Sequence, residues 1–185
     1  MKKLAVVLLV TAVAACGFGL GDVTGGGGSL DTAKADALIK ELTTIEGDFT
    51  AIKTTLENAD AYLTEVATAH GIADILSDPT AAAKLAGELS ADEKTKLGEH
   101  FSALGKVPAD LTALTGKIPE VSTKAPEVIT DLASQLKKSP LKAGEVGKLT
   151  DQLNAGVKAC ETVTGEAGET TEKATTLTET LTKML

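Results

Sequence analysis

Apolar residues fall at Leu38, Leu42, Ile45, Phe49, Ile52, Leu56, Ala59, Leu63 and Val66, separated by four and three residues in strict alternation. A helix carrying such a seam can bury it only against other helices that cross it at a shallow left-handed angle. The alternation returns at Val107, Leu111, Leu114, Ile118, Val121, Ala125, Val128 and Leu132. It returns again from Val146 through Leu149, Leu153, Gly156, Cys160, Val163, Ala167, Thr170, Ala174, Leu177 and Leu181 to Met184. The pattern predicts an all-α fold, an elongated up-down bundle of nominally four helices with coiled-coil-like packing.

The helix boundaries carry local signals. Asp31 is the expected N-cap of a first helix over about 31–70, and His70-Gly71 supplies a basic last turn followed by a C′ glycine. A helix of that length is about 60 Å long. Ser77-Asp78-Pro79 opens a second region, because Pro suits the first helical turn. Gly87 weakens that region, and Ser90 with Glu93 forms a capping-box pattern that restarts it. The region over 79–105 is therefore expected to be broken, with Leu97, Phe101 and Leu104 on its apolar face. The third region, 107–138, contains Pro108, Pro119 and Pro126. An interior Pro removes one backbone hydrogen bond and costs about 3 kcal/mol, so this helix is expected to be kinked or segmented. Both interior prolines fall off the seam, which places them on the outer face. Ser139-Pro140 opens the last region, 140–185, whose middle is weakened by Gly165, Gly168 and many β-branched threonines. Residues 30–185 make one helical domain.

The start of the chain is different in kind. Met1-Lys2-Lys3 precedes an uncharged stretch from Leu4 to Ala15, and small residues lead to Cys16. A basic start, a short apolar run and a small-residue cut site describe a secretory signal peptide over residues 1–15. The run is too short to span a bilayer, which needs about 20 residues. Val13-Ala14-Ala15-Cys16 resembles the bacterial lipobox, with Val13 where Leu is commonest. The resemblance implies cleavage between Ala15 and Cys16, diacylglycerol on the Cys16 sulfur, and usually a further acyl chain such as palmitate on the new N-terminus. Several acyl chains anchor stably where one does not. Gly17 stands where enterobacterial lipoproteins retained in the inner membrane carry Asp, so the resemblance implies an outer-membrane address. Residues 17–29 are Gly-rich and read as a tether between lipidated Cys16 and the body, with a reach of about 20 Å.

Composition narrows the function classes. Removing residues 1–15 leaves sixteen lysines against twenty-six acids, a net charge of −10, with no Arg, no Trp and one Tyr. Such a body repels phosphate backbones and lacks stacking platforms, which argues against nucleic-acid binding. Lys137, Lys138 and Lys142 form a small basic cluster, read as a solvated inter-helix turn.

No catalytic, cofactor-binding or metal-binding set emerges. The haem attachment pattern Cys-x-x-Cys-His is absent. His70 is read as a helix-end cation, His100 as an exposed or hydrogen-bonded side chain, and Met184 as core or tail. Neither His follows a Glu at the three-residue spacing of di-iron bundles. Glu166, Glu169 and Glu172 share a face and are read as a solvated acidic surface rather than a cation site. Cys160 lies on the last seam; a buried, inert thiol is favoured over an intermolecular disulfide. The expected function is a non-enzymatic, membrane-anchored envelope lipoprotein that is structural or binds a protein partner. The alternative is an apolar small molecule or lipid held in a cleft between helices.

Overall fold

The computed structural model describes residues 30–185. The expected signal peptide (residues 1–15), the expected lipidation site Cys16 and the expected tether (residues 17–29) lie outside the described residues. Within them the chain is all-α: α1 (Ala33–Ala69), α2 (Pro79–Leu85), α3 (Ala91–Leu104), α4 (Val107–Leu136) and α5 (Ala143–Met184), with one 3-10 turn at Pro140–Lys142 before α5. All four helical regions expected from the seams are present and pack against one another.

Sequence separations across the interfaces give the topology. Lys53 meets Glu166 and Asp60 meets Lys173, both pairs 113 residues apart. A constant separation means that α1 and α5 run parallel and in register. Across the other interface partner numbers fall as α1 numbers rise: Asp31 bonds Gln135, Tyr62 stacks on His100, and His70 meets Glu93. The trend crosses the α3–α4 junction without a break. Hence α3 and α4 form one column antiparallel to α1, and the bundle is up-down-up in three columns. The short helix α2 packs on α5 at the end remote from Leu30.

The junction within the second column has a clear cause. Gly105 and Lys106 keep right-handed helical angles, but Pro108 has no N–H to offer the carbonyl of Leu104. The turn tightens instead, with Lys106 N–H donating to Ala103 O at 3.2 Å. Beyond it α4 is assigned as one helix through Pro119 and Pro126. The segmented alternative is therefore corrected. Both prolines are exposed and off the buried seam, and the residues whose carbonyls they leave without an intrahelical donor, Thr115 and Ser122, are half-buried.

The seams bury as their period requires. Every α1 seam residue from Leu38 to Val66 is buried, as are Val107, Leu111, Leu114, Ile118, Val121, Ala125 and Leu132 on α4. Val128 is half-buried. On α5 the buried seam runs from Val146 to Met184, broken only by half-buried Gly156 and Ala167. The heptad seams thus close within a single chain. All threonines of α5 from Thr162 to Thr182 donate their hydroxyls to the carbonyl four residues earlier, at 2.7–3.2 Å. This back-bonding satisfies the hydroxyls of buried Thr170 and Thr180.

Two end details differ from expectation. The residue preceding α1 is Thr32 rather than Asp31. The Asp31 carboxylate accepts from Ala33 N–H at 3.2 Å, while its backbone is clamped by the Gln135 side chain. On α3, Phe101 is 37% exposed while Leu97 and Leu104 are buried. The inward face of α3 follows Glu93, Leu97, His100 and Leu104, which has the correct period but includes two polar residues. Asp78 caps α2 through Thr80 and Ala81 N–H, and Ser90–Glu93 forms the expected capping box.

One glycine is fixed by packing. A Cβ built on Gly156 stands 2.8 Å from Leu42 Cβ and Cδ1, whereas one on Gly165 or Gly168 meets nothing within 4 Å. Gly156→Ala forces α1 and α5 apart, a cost of about 1–3 kcal/mol against a gain in helix propensity of about 1 kcal/mol. Gly165→Ala gains the propensity alone. Denaturant unfolding of the two variants should show opposite signs: Gly156→Ala below the parent, Gly165→Ala above it by up to about 1 kcal/mol.

Candidate functional site

The polar residues on the inner face of α3 meet α1 near its C-terminus. Gly71, at φ +76°, ends α1 in the left-handed conformation, and His70 caps it. The His70 side chain, 22% exposed, turns toward acids of the following segment. Its Nε2 is 3.2 Å from Glu93 Oε1 and its Nδ1 is 3.8 Å from Glu88 Oε2. The expected helix-end cation site therefore has specific carboxylate partners. About two helical turns below, Tyr62 faces His100 with ring centroids 5.2 Å apart, and Lys96 Nζ lies 5.6 Å from the Tyr62 centroid.

Glu93 joins these contacts. Its Oε2 accepts from Ser90 N–H at 2.8 Å and Ser90 Oγ–H at 2.6 Å, while Oε1 faces His70. The Ser90 hydrogen bonds, from side chain and then backbone, followed by the His70 contact, pull its carboxyl from 4.5 down to about 2. In a hydrolytic triad the imidazole stands between hydroxyl and carboxylate. Here the carboxylate stands between hydroxyl and imidazole. Such a weak base does not activate Ser90, and the cluster joins α1 to the start of α3.

The remaining candidates are placed as follows. Glu166 of the acidic face pairs with Lys53 at 2.9 Å, and Glu169 lines the same open groove, of about 340 Å³, beside Lys173. Among the described residues no group of three or more His, Cys, Asp or Glu is placed to hold a metal ion. Met184 is fully buried on the last seam. Cys160 is fully buried, and burial, with Glu46 nearby, pushes its thiol pKa up. Lys137 and Lys138 are exposed at the α4–α5 turn.

A second concave feature lies where α1 passes the α3–α4 junction. This groove, about 460 Å³ and open to solvent, has a floor of Ala51, Ile52, Val107 and Leu114, and Asp48, Lys106, Asp110 and Lys117 line it as well. The chain matches no known family model, no curated protein and no solved structure. The functional reading therefore rests on its own residues.

Sequence reasoning found His70, His100, Glu93 and Cys160 singly but missed the Glu93–His70 and Tyr62–His100 meetings. The available signal was the period of α3: stepping four back and three forward from Leu97 reaches Glu93 and His100. Hydrophobicity favoured Phe101 instead.

Two outcomes follow. Because folding depresses the Glu93 pKa, its stabilising contribution is present above about pH 4.5 and is lost as pH falls toward about 2. Melting of Glu93→Gln should lie below the parent near neutral pH, and the gap should close across that window. For Cys160, a chain carrying Cys16→Ser should react with a disulfide reagent only after denaturation and should run as a monomer on non-reducing gels.

Proposed function

We propose that this protein is a non-enzymatic lipoprotein of the bacterial envelope, anchored by acyl chains on Cys16 and presenting its helical body to a protein partner. The outer membrane is the proposed address, from Gly17 after the lipobox-like Val13-Ala14-Ala15-Cys16. The carrying observation is the in-register three-column rod with Leu30 at one end and α2 at the other. Helix α5 alone, at 42 residues, extends about 63 Å. A rigid body entered by a Gly-rich segment at one end is suited to hold a distal surface away from its attachment point. Among the described residues no helix is long and apolar enough to cross a membrane, so the proposed attachment rests on Cys16.

The non-enzymatic part of the proposal is supported by the commitments of the reactive residue types. Ser90 and His70 both bond Glu93, and Cys160 is sealed in the core. A second reading, an apolar ligand lodged on the Ala51–Val107 floor of the junction groove, is favoured by that groove's volume. It is weakened by the groove's openness and its charged lining.

Cys16→Ser should abolish lipid attachment, seen by mass spectrometry of the Cys16 peptide, and release the protein from membranes. Unchanged retention of that variant would overturn the anchor. In-cell crosslinking at native level should capture one dominant envelope protein through the exposed faces. Recovery of the chain alone, with lipid extracted from the purified protein, would favour the groove reading.

A further inference from the structure

The end of the rod from which the chain leads back to Cys16 has a charge unlike the rest. Asp31 is clamped to Gln135, so Leu30 emerges beside the α4–α5 turn. Lys137 and Lys138 lie on that turn, and the 113-residue register places Lys148 level with the first turn of α1. This end carries Lys34, Lys137, Lys138, Lys142 and Lys148 against Asp31, Asp36, Asp131 and Glu145. The remainder of residues 30–185 carries eleven lysines against twenty-one acids.

Two of the four acids at this end are paired with lysines and two accept only from neutral groups; with five lysines against four acids, the end has a net charge of +1. Asp31 accepts from Ala33 N–H, Asp36 from the Thr32 hydroxyl, Asp131 faces Lys34 at 3.9 Å, and Glu145 faces Lys142 at 3.3 Å. Among the described residues Lys137, Lys138 and Lys148 have no carboxylate within ion-pairing distance, and all three are exposed. We infer that this lysine-bearing end is a seat for anionic lipid headgroups, which holds the rod upright with α2 pointing away from the membrane. The inference deepens the anchored-lipoprotein reading and rests on it. A Gly-rich coil of the length of residues 17–29 has a root-mean-square reach of about 20 Å, and approach within that reach brings lysines inside the Debye length of about 10 Å. The acidic remainder is repelled by the same surface, so attraction and repulsion favour one orientation.

The test supplies the anchor chemically. Because Cys160 is buried, the mature chain Cys16–Leu185 can be coupled through Cys16 to maleimide lipid in two kinds of vesicle. One is phosphatidylcholine alone; the other also contains phosphatidylglycerol. Lysine acylation by an uncharged reagent is then read residue by residue by mass spectrometry. On the anionic vesicles Lys137, Lys138 and Lys148 should be protected about fivefold relative to neutral vesicles, the scale of one lysine held at an anionic surface. Lys84 and Lys94, at the far end, should be unaffected. Protection should vanish in about 1 M salt, where the Debye length is about 3 Å, and K137E/K138E should lose it at Lys148. Equal labelling on both vesicles, or equal protection of Lys84 and Lys94, would overturn the inference. Native acylation does not enter this result, so failure of the anchor reading shows separately in the mass of the Cys16 peptide.

Discussion

The parallel pairing of α1 with α5 is the constraint on which the rest of the structure depends. Two parallel helices cannot be joined by a short turn, since the chain must return the full length of the pair before it starts again. The pairing is tight enough to require Gly156, because Leu42 occupies the space a side chain would fill. It is kept in register by Lys53–Glu166 and Asp60–Lys173. These pairs are partly exposed, and each is worth at most about 1 kcal/mol. Their role is to fix which residues face each other, while burial of the aliphatic seam supplies the larger stabilisation.

The return column solves the length problem in two pieces. Helices α3 and α4 together cover 91–136 with a two-residue jog at Gly105–Lys106. Pro108 forces the jog, yet the seam continues on both sides, Leu104 and Val107 being buried next to it. The prolines farther along are tolerated. Pro119 and Pro126 are exposed and off the seam, and the helix runs on with its inner face buried. All three prolines are exposed and off the seam, so position around the helix does not by itself decide whether the column breaks.

Much of this architecture was legible in the sequence because a heptad seam leaves few alternatives. Leu38 to Val66 announced α1 and its buried face, and Ser90–Glu93 and Asp78–Pro79 announced their helix starts. Two things were not legible. Period alone does not say whether α3 and α4 stand side by side or end to end, because that depends on backbone angles at Gly105 and Lys106. Nor did hydrophobicity identify the whole inward face of α3: Leu97 and Leu104 are buried as expected, but Phe101 is not. Phe101 is the more apolar residue, but it is His100 that meets the Tyr62 ring and Glu93 that meets His70, on the same face as fully buried Leu97 and Leu104. The polar cluster was hidden for the same reason, since its members come from segments that meet only after the chain has folded back.

The two ends of the rod are therefore built on different physics. The middle and the Leu30 end rest on aliphatic seams shared by three long helices. The far end adds a seven-residue helix, a left-handed glycine and an α1–α3 contact that runs through Glu93 and His70. A short helix has little intrinsic stability and depends on its packing. Here that dependence is met by burial: Ile75, Ala82, Leu85 and Leu89 are buried, and α2 packs on α5. The far end thus depends on the docking of a segment too short to stand alone, whereas the Leu30 end depends on seams that run the length of the rod.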